Sequence, residues 1–151
     1  MSWDRRFEEL GIVLPPAPKP VGAYVPARRA GKLASTSGQL PFRDGKLMFA
    51  GKVPADVSLD NARAAARQAA LNALAAVRFA VDLNAVAGIV RLNVFVNSSP
   101  GFTDQAKVAD GASELLKEVF GAAGLHTRCT IGAAELPLNS PVELDLLVEL
   151  T

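Results

Sequence analysis

The sequence contains few of the residues that support covalent cross-links or metal centres. Among 151 residues it has one cysteine, Cys129, and one histidine, His126. A single cysteine excludes an intrachain disulfide, and His126 has no second histidine or suitable cysteine with which to hold a metal. The sequence also gives no indication of a Ser-His-Asp catalytic triad. We therefore expect a protein that needs neither metal nor cofactor.

The chain also lacks a strong charge of either sign and any long apolar run. Its formal net charge is +1, which offers no electrostatic footprint for nucleic acid or for an anionic membrane. No apolar run approaches the roughly 20 residues of a membrane span, and the N-terminus carries no signal-peptide pattern. Half of the residues are apolar and 21% are charged, as in ordinary globular proteins. The expectation is a cytoplasmic protein without nucleic-acid or membrane partners.

The N-terminal part differs from the rest of the chain. Ser2 can cap a short helix over residues 2–10 that ends before Gly11. Four prolines between residues 15 and 20 then impose an extended linker. We predict a helix and Pro-rich linker over residues 1–20, followed by one folded domain over residues 21–151.

Two β-hairpins are predicted at the start of that domain. Residues 21–26 and 32–37 have the composition of strands that turn at Ala30-Gly31. The dipeptide Asp44-Gly45, a strong hairpin signal, lies between further short strands.

Helices and longer strands alternate in the remainder. Alanine and aliphatic residues recur at three- and four-residue steps over 59–81, which predicts a helix that lies close to its sheet. A second helix is predicted over 111–120, with Asp110 as a possible N-cap and Gly121 as the C-cap glycine. Strands are predicted over 89–96, 126–130 and 142–150, and the even positions of the first should face the helices.

This order indicates an α+β domain with about six strands and two substantial helices. Two helices can cover only one face of such a sheet. The other face combines Ile89, Phe95 and Leu147 with the charges of Glu143 and Asp145. A subunit interface fits this mixture best. The alternative is a monomer whose semi-polar face is solvated.

Charges at alternate positions of the two C-terminal strands are candidate functional groups. The guanidinium of Arg128 is suited to grip a carboxylate, and Glu143 lies on the last strand. Alternatively, Arg128 is only an ion-pair partner of Glu143 or Asp145 on adjacent strands. Cys129 alternates with Arg128 and should point to the opposite face, where we expect a buried structural thiol rather than a nucleophile.

Several short motifs, taken in order, resemble one known family. They are Val21-Gly22-Ala23-Tyr24, then Thr36-Ser37-Gly38-Gln39-Leu40-Pro41, then Arg128 in a strand leading to Leu136-Pro137, then Val142-Glu143-Leu144-Asp145. The chain resembles the YjgF-type reactive-intermediate deaminase (Rid) family over most of residues 21–150. Its N-terminal helix and proline linker resemble a longer branch of that family.

The resemblance implies an α+β fold like that of chorismate mutase, assembled as a homotrimer whose uncovered sheet faces point inward. It also implies hydrolysis of short-lived 2-imino or 2-enamino acids, such as 2-iminobutanoate and 2-iminopropanoate, to 2-keto acids and ammonia. The substrate would be a small carboxylate bound in a cleft between subunits, and no cofactor is implied.

The resemblance further assigns roles to individual residues. Arg128 would hold the substrate carboxylate and Glu143 would position the attacking water. Asp110 stands where relatives have asparagine, and Thr130 where many have cysteine. The residues expected to contact substrate are Tyr24, Ser37, Gly38, Asp110, Arg128 and Thr130.

Other functions are compatible with parts of the same pattern. A non-catalytic trimer that binds small carboxylate metabolites would use Arg128 without needing Glu143 to handle water. Ribonuclease activity, which has been attached to this family, is disfavoured by the near-neutral charge and the single tyrosine. Pericyclic chemistry like that of chorismate mutase would rest on fold analogy alone. Tyr24 could be a core residue with a bonded hydroxyl, and Ser37 could serve only a strand end.

Overall fold

A five-stranded mixed sheet, covered on one face by two long helices, forms the body of the computed structural model, which describes residues 2–19 and 22–151. Its strands are β1 (Ala27–Ala30), β2 (Leu33–Thr36), β5 (Val86–Asn97), β6 (Thr127–Ala133) and β7 (Val142–Leu150). They have the order β1-β2-β7-β5-β6, in which β5 and β6 are parallel and the other neighbours antiparallel. The α+β class predicted from the sequence is confirmed.

The described residues form three α-helices: α1 (Trp3–Leu10), α2 (Leu59–Ala80) and α3 (Gln105–Phe120). Ser2 caps α1 by accepting a hydrogen bond from the backbone of Arg5, as expected for a serine N-cap. The Trp3 ring lies 4.8 Å from that of Phe120, so α1 packs on the end of α3. The predicted N-terminal helix is therefore confirmed, whereas the domain boundary beside Pro20 and Val21 lies outside the described residues.

The core lies between the sheet and α2 and α3. The alanine stripe of α2 is buried, which allows the helix to approach the sheet closely. Alternate residues of β7 face this layer, and each is no more than 2% exposed: Val142, Leu144, Leu146, Val148 and Leu150. This row was predicted correctly because a strand alternates its side chains with period two.

Strand β5 departs from simple alternation near its start. Ile89 pairs with Val148 and Arg91 pairs with Leu147, so Val90 is an extra, bulged residue. A bulge reverses the facing of the residues that precede it. Ile89 consequently points into the core at 4% exposure, and the expectations that Ile89 lies on the open face and that Val90 faces the helices are wrong.

Helix α3 begins six residues before the predicted start. Asp110 is inside the helix rather than at its N-cap, and Asp104 occupies the cap position without a side-chain cap bond. Val108 and Ala109 are fully buried and extend the apolar stripe of the helix by another turn. Burial against the core therefore outweighs the capping signal of Asp110. The C-cap at Gly121 is confirmed.

The first hairpin is shifted relative to its prediction. Strand β1 begins at Ala27, and residues 22–26 are irregular rather than a strand. Pro26 lacks an N–H for a strand ladder, and Gly22 has φ 91°, which extended strands do not adopt. The part of this prediction that concerns Val21 lies outside the described residues.

The second hairpin is confirmed around Asp44 and Gly45, which have φ of 52° and 78°. Its strands, β3 (Phe42–Arg43) and β4 (Lys46–Leu47), form a separate two-stranded sheet. The main sheet consequently has five strands rather than about six.

Candidate functional site

The predicted site residues fall into two groups on opposite faces of the sheet. Arg128 is in register with Leu92, a fully buried residue that faces the helices. Glu143 pairs with Phe95, which lies on the open face. Strand β5 separates the strands that carry Arg128 and Glu143, so these two strands run roughly 10 Å apart. The two residues are also offset by three positions along the sheet, from Leu92 to Phe95. One chain therefore does not bring these two side chains together around one ligand.

We call the first set the Arg128 group, formed by Asp110, Arg128 and Thr130. Thr130 is in register with Val94 and shares the helix-facing side of β6 with Arg128. Arg128 Nη1 donates to Asp110 Oδ1 at 2.8 Å and to Ser113 Oγ at 3.1 Å. The alternative that Arg128 pairs with Glu143 or Asp145 is wrong, because both carboxylates are on the other face of the sheet.

The hydrogen bonds of Arg128 leave one edge of its guanidinium free. Both of its bonds leave from Nη1, whereas Nε and Nη2 have no partner within residues 2–19 and 22–151. Nε and Nη2 form the planar two-donor edge that matches a carboxylate. Asp110 and Ser113 thus hold the guanidinium while its Nε–Nη2 edge stays available.

A series of hydrogen-bonded side chains, from Arg128 through Ser113 to His126, was not predicted from the sequence. Ser113 Oγ lies 2.9 Å from His126 Nε2, and His126 Nδ1 lies 2.7 Å from the carbonyl oxygen of Gly124. A carbonyl can only accept, so we assign the proton to Nδ1 and the acceptor role to Nε2. Ser113 then donates to His126 and accepts from Arg128. Its position three residues after Asp110, on the same helical face, was an available signal.

The second set, the Glu143 group, is formed by Tyr24, Ser37, Gly38 and Glu143. Gln39 and Leu144 exchange backbone hydrogen bonds of 2.7 and 3.1 Å, which bring residues 37–39 alongside the start of β7. A Cβ atom on Gly38 would collide with Oε1 of Glu143. The absence of a side chain at Gly38 therefore makes room for the Glu143 carboxylate.

Glu143 is electrostatically distinctive. Partial burial raises the pKa of its carboxyl above the ordinary value of 4.5, and the negative charge of Asp145 raises this pKa further. Asp145 itself accepts a hydrogen bond of 2.8 Å from Asn93. Glu143 has no side-chain hydrogen bond to any described residue. A carboxylate with a raised pKa and free oxygens is a stronger base than an ordinary surface glutamate.

Tyr24 and Ser37 line the same cleft at the end of β2, and Ser37 directly precedes Gly38 in the chain. Ser37 Oγ donates to the carbonyl oxygen of Val25 at 2.6 Å, which ties the segment after Tyr24 to the end of β2. Tyr24 is 60% exposed, so the alternative that it is a core residue is wrong. Both residues line an open cleft of about 420 Å³.

Cys129 points to the open face, as its alternation with Arg128 predicted. It pairs with Asn93 and is exposed in the single chain, so the expected burial is not observed there. Among the described residues no group of three His, Cys, Asp or Glu side chains is arranged to hold a metal ion.

A larger cleft of about 980 Å³ lies apart from both groups, between the proline linker, α2 and the β3–β4 hairpin. None of the predicted site residues lines it, and two of its polar side chains are already bonded within the chain. Asn72 donates to the carbonyl oxygens of Leu40 and Phe42, and Arg67 pairs with Glu118. We therefore do not assign the candidate site to this cleft.

The chain is similar to several known proteins in sequence and in structure. The Trypanosoma cruzi protein TCP17 is 45% identical over 146 residues, covering 95% of this chain and 91% of that protein. A 2-iminobutanoate/2-iminopropanoate deaminase from Dermatophagoides farinae is 30% identical over 138 residues, covering 91% and 93% of the two chains. A crystal structure of an Agrobacterium tumefaciens protein of unknown function superimposes with a TM-score of 0.90 at 41% identity, covering 99% and 92%.

No helix in the described part of the chain is both long and apolar enough to cross a bilayer. The family model described as "YjgF/chorismate_mutase-like, putative endoribonuclease" matches residues 4–150, which is almost the whole sequence. The resemblance inferred from the motifs is thus confirmed at the level of the whole chain, and the protein belongs to the YjgF/chorismate mutase-like family.

Proposed function

We propose that the protein hydrolyses reactive 2-imino and 2-enamino acids to 2-keto acids and ammonia, in a cleft formed where two copies of the chain meet. The observation that carries this proposal is the Glu143 carboxylate, which is partly buried, has a raised pKa and has no hydrogen-bond partner among the described residues. The similarity to a protein named as a 2-iminobutanoate/2-iminopropanoate deaminase supports the same chemistry.

The two groups would act on one substrate only if different subunits supply them. Arg128 faces the helix side at the edge strand β6, whereas Glu143 faces the open side near the centre of the sheet. The open face also carries Ile131, which is 48% exposed, and Phe95 beside Glu143. An apolar, partly charged face of this kind is suited to a subunit interface. We propose the homotrimer that the family resemblance implies.

The proposed reaction needs orientation and a base rather than a metal. The free edge of Arg128 binds the substrate carboxylate, and Glu143 accepts a proton from water as the water oxygen bonds to the imine carbon. The C=N electron pair moves to nitrogen, which takes the proton held by Glu143 and gives a carbinolamine. Transfer of the hydroxyl proton to that nitrogen lets the C–N bond break, while the O–H electrons form the C=O of the keto acid. Water and imine are consumed, and keto acid and ammonia are released.

The rate effects expected from positioning and from a general base are compatible with the proposed reaction. Positioning two reactants contributes several kcal/mol to lowering a barrier, and a general base typically contributes about 10²–10⁴-fold. The carbon of an imine is already electrophilic, so a site that binds and orients the imine and a water molecule needs no further electrophile.

The test measures ammonia and 2-oxobutanoate released from 2-iminobutanoate generated in situ. We expect the parent protein to accelerate both and Arg128→Ala to lose the acceleration. Sedimentation should give three times the chain mass of 15.8 kDa. A stable monomer at micromolar concentration would exclude the shared cleft. Binding of 2-oxobutanoate without any acceleration would instead support the non-catalytic carboxylate-binding trimer.

The endoribonuclease in the family description is not the function we propose. Both ring nitrogens of His126 are bonded, one to Ser113 and one to the Gly124 carbonyl, so it is poorly placed to act on a phosphodiester. Incubation of the same trimer with labelled RNA provides the direct comparison.

A further inference from the structure

His126 is connected to the Arg128 group through the hydroxyl of Ser113. Ser113 Oγ lies 3.1 Å from Arg128 Nη1 and 2.9 Å from His126 Nε2. Because His126 Nδ1 donates to the Gly124 carbonyl oxygen at 2.7 Å, the other ring nitrogen is left as an acceptor. The single proton of the Ser113 hydroxyl therefore goes to His126, and a lone pair of Ser113 is left for Arg128.

Two acceptors on α3 take the two hydrogens of Arg128 Nη1. Asp110 Oδ1, at 2.8 Å, is one acceptor and Ser113 Oγ is the other. Because the guanidinium is planar, two acceptors on one nitrogen define its plane and hence the direction of the free Nε–Nη2 edge. A single acceptor would leave the guanidinium free to swing about one contact. Ser113 therefore contributes to the orientation of the free edge rather than to its charge.

Without His126, the hydroxyl of Ser113 would have a competing partner. Asp110 and Ser113 contact the same nitrogen and are neighbours on one face of α3, three residues apart. A hydroxyl that donated to Asp110 would compete with Arg128 for that carboxylate and turn its lone pairs away from Nη1. The acceptor at His126 Nε2 removes this alternative, because serine has only one proton to donate.

The position of the imidazole is itself fixed relative to α3. Gly124, whose carbonyl oxygen accepts from His126 Nδ1, is buried, and a Cβ atom at this position would collide with the carbonyl oxygen of Leu116. Leu116 lies three residues after Ser113, on the adjoining turn of the same helix. Close packing of Gly124 on α3 therefore fixes the acceptor that orients the Ser113 hydroxyl.

We propose that His126 is a positioning residue, which accepts the hydrogen bond of Ser113 and thereby fixes the plane of the Arg128 guanidinium for carboxylate binding. This role rests on the proposed function, in which Arg128 holds the substrate carboxylate. His126 contacts no substrate and transfers no proton in it. Loss of His126 should therefore weaken the binding of small 2-keto acids and raise KM, whereas kcat, which depends on Glu143, should change little.

A purely structural role for His126 would act through Gly124 instead of Ser113. Two substitutions separate these roles because each keeps a different half of the imidazole. His126→Gln places an amide oxygen near the position of Nε2, where it can accept from Ser113. His126→Asn places its amide near the position of Nδ1, where it can donate to the Gly124 carbonyl but does not reach Ser113. The positioning role predicts that only His126→Gln retains affinity, and the structural role predicts the reverse.

The experiment measures the affinity for 2-oxobutanoate by calorimetry, and a thermal melt of each variant confirms that it is folded. We expect affinity to fall by at least about 5-fold in His126→Asn and to stay within about 2-fold of the parent in His126→Gln. The double variant Ser113→Ala/His126→Asn should bind within about 2-fold of Ser113→Ala, because both substitutions act through one hydrogen bond.

Three results would overturn the inference. They are unchanged affinity in His126→Asn, an equal loss in His126→Gln, and additive losses in the double variant. A parent protein that does not bind 2-oxobutanoate would also overturn it.

Nitrogen NMR provides a readout that needs no ligand. His126 is the only histidine, so its two ring nitrogens give unambiguous signals. We expect the proton of the neutral ring on Nδ1, and a shift of the Nε2 signal in Ser113→Ala because this nitrogen loses its hydrogen bond. A neutral ring with its proton on Nε2 would contradict the positioning role.

Turnover of 2-iminobutanoate is measured separately on the same proteins. In His126→Asn we expect KM to rise with the loss of affinity and kcat to stay within about 3-fold. The expected affinities without turnover by the parent would refute the deaminase function but retain the role of His126. Turnover by the parent with equal affinities in all the His126 variants would do the reverse.

Discussion

The Arg128 group and the Glu143 group differ in how the fold holds them. Arg128 lies on an edge strand, and side chains from α3 fix its charged end through Asp110 and Ser113. Glu143 lies on a central strand, and the adjacent backbone at Gly38 leaves the space for its carboxylate. Arg128 is thus stabilised by compensating polar contacts, whereas Glu143 is left without a bonded partner among the described residues.

Because of this difference, we expect the Arg128 group to serve ligand binding and the Glu143 group to serve proton transfer. A binding group benefits from a fixed orientation, which lowers the entropy lost when ligand is bound. A base benefits from incomplete solvation and a raised pKa, which cost stability in the free protein. Substitutions in the Arg128 group should therefore affect binding, and substitutions in the Glu143 group should affect turnover.

The largest effect is expected for Arg128→Ala. Loss of the guanidinium should weaken binding of 2-oxobutanoate by about 100-fold or more, because it removes a charge-assisted contact with the carboxylate. Calorimetry provides the measurement, and Arg91→Ala, which removes an arginine from the open face, is the matched control. Unchanged affinity in Arg128→Ala would remove this residue from the site.

Glu143→Gln should lower turnover by about 10²-fold or more while changing ligand affinity by less than about 3-fold. The amide preserves shape but cannot accept a proton from water. Steady-state kinetics and calorimetry on the same preparation separate the two quantities. Equal losses of turnover and affinity would indicate a binding role instead.

The same Glu143→Gln variant should also show how much the raised pKa of Glu143 lowers the stability of the folded chain. The folded chain holds the Glu143 proton more tightly than the unfolded chain does, so stability falls as pH rises from 4.5 through the raised pKa. Removing the charge should raise the melting midpoint at pH 7 by about 1–3 °C, and this gain should vanish near pH 4. A gain that is equal at both pH values would contradict the electrostatic explanation.

Gly38→Ala should reduce turnover by about 10-fold to 100-fold, because the new methyl group displaces the Glu143 carboxylate from its position. The overlapping atom is the end of a flexible side chain, so the effect on stability should be small. Kinetics combined with thermal melting tests both statements. Turnover equal to that of the parent would show that the position of Glu143 is not critical.

The smallest expected effect concerns Asp145→Asn. Asp145 is the second cause of the raised pKa of Glu143, after burial, so its neutralisation should move the acid limb of the rate–pH profile to lower pH. Asparagine at position 145 can still accept from Asn93. Glu149→Gln, further along the same face of β7, is the control and should leave the limb in place.

Much of the fold could be predicted from the sequence because it depends on local patterns. The alternation in β7, the alanine stripe of α2, the Ser2 cap and the Asp44-Gly45 turn each express a short-range preference. The predictions were wrong where packing between residues far apart in the chain determines the local structure. The buried residues Val108 and Ala109 carry α3 past Asp110, and the bulge at Val90 turns Ile89 inward.

The candidate site was predictable to a smaller extent. Family motifs singled out Arg128 and Glu143, and strand alternation separated Cys129 from Arg128. The contacts of Arg128 with Asp110 and Ser113 were not predicted, because they join a strand to a helix that precedes it in the chain, although the three-residue spacing of Asp110 and Ser113 was an available signal. The Ser113–His126 contact was missed for the same reason.

The sequence by itself determined the family, the α+β class and the identity of the charged residues available for chemistry, since these depend on motif order and local periodicity. Only the tertiary structure decided that Arg128 and Glu143 lie on opposite faces of one sheet, that Asp110 neutralises Arg128, and that Gly38 makes room for a partly buried carboxylate. Strand order and helix docking set these relations between residues far apart in the chain, and short-range preferences carry no information about them.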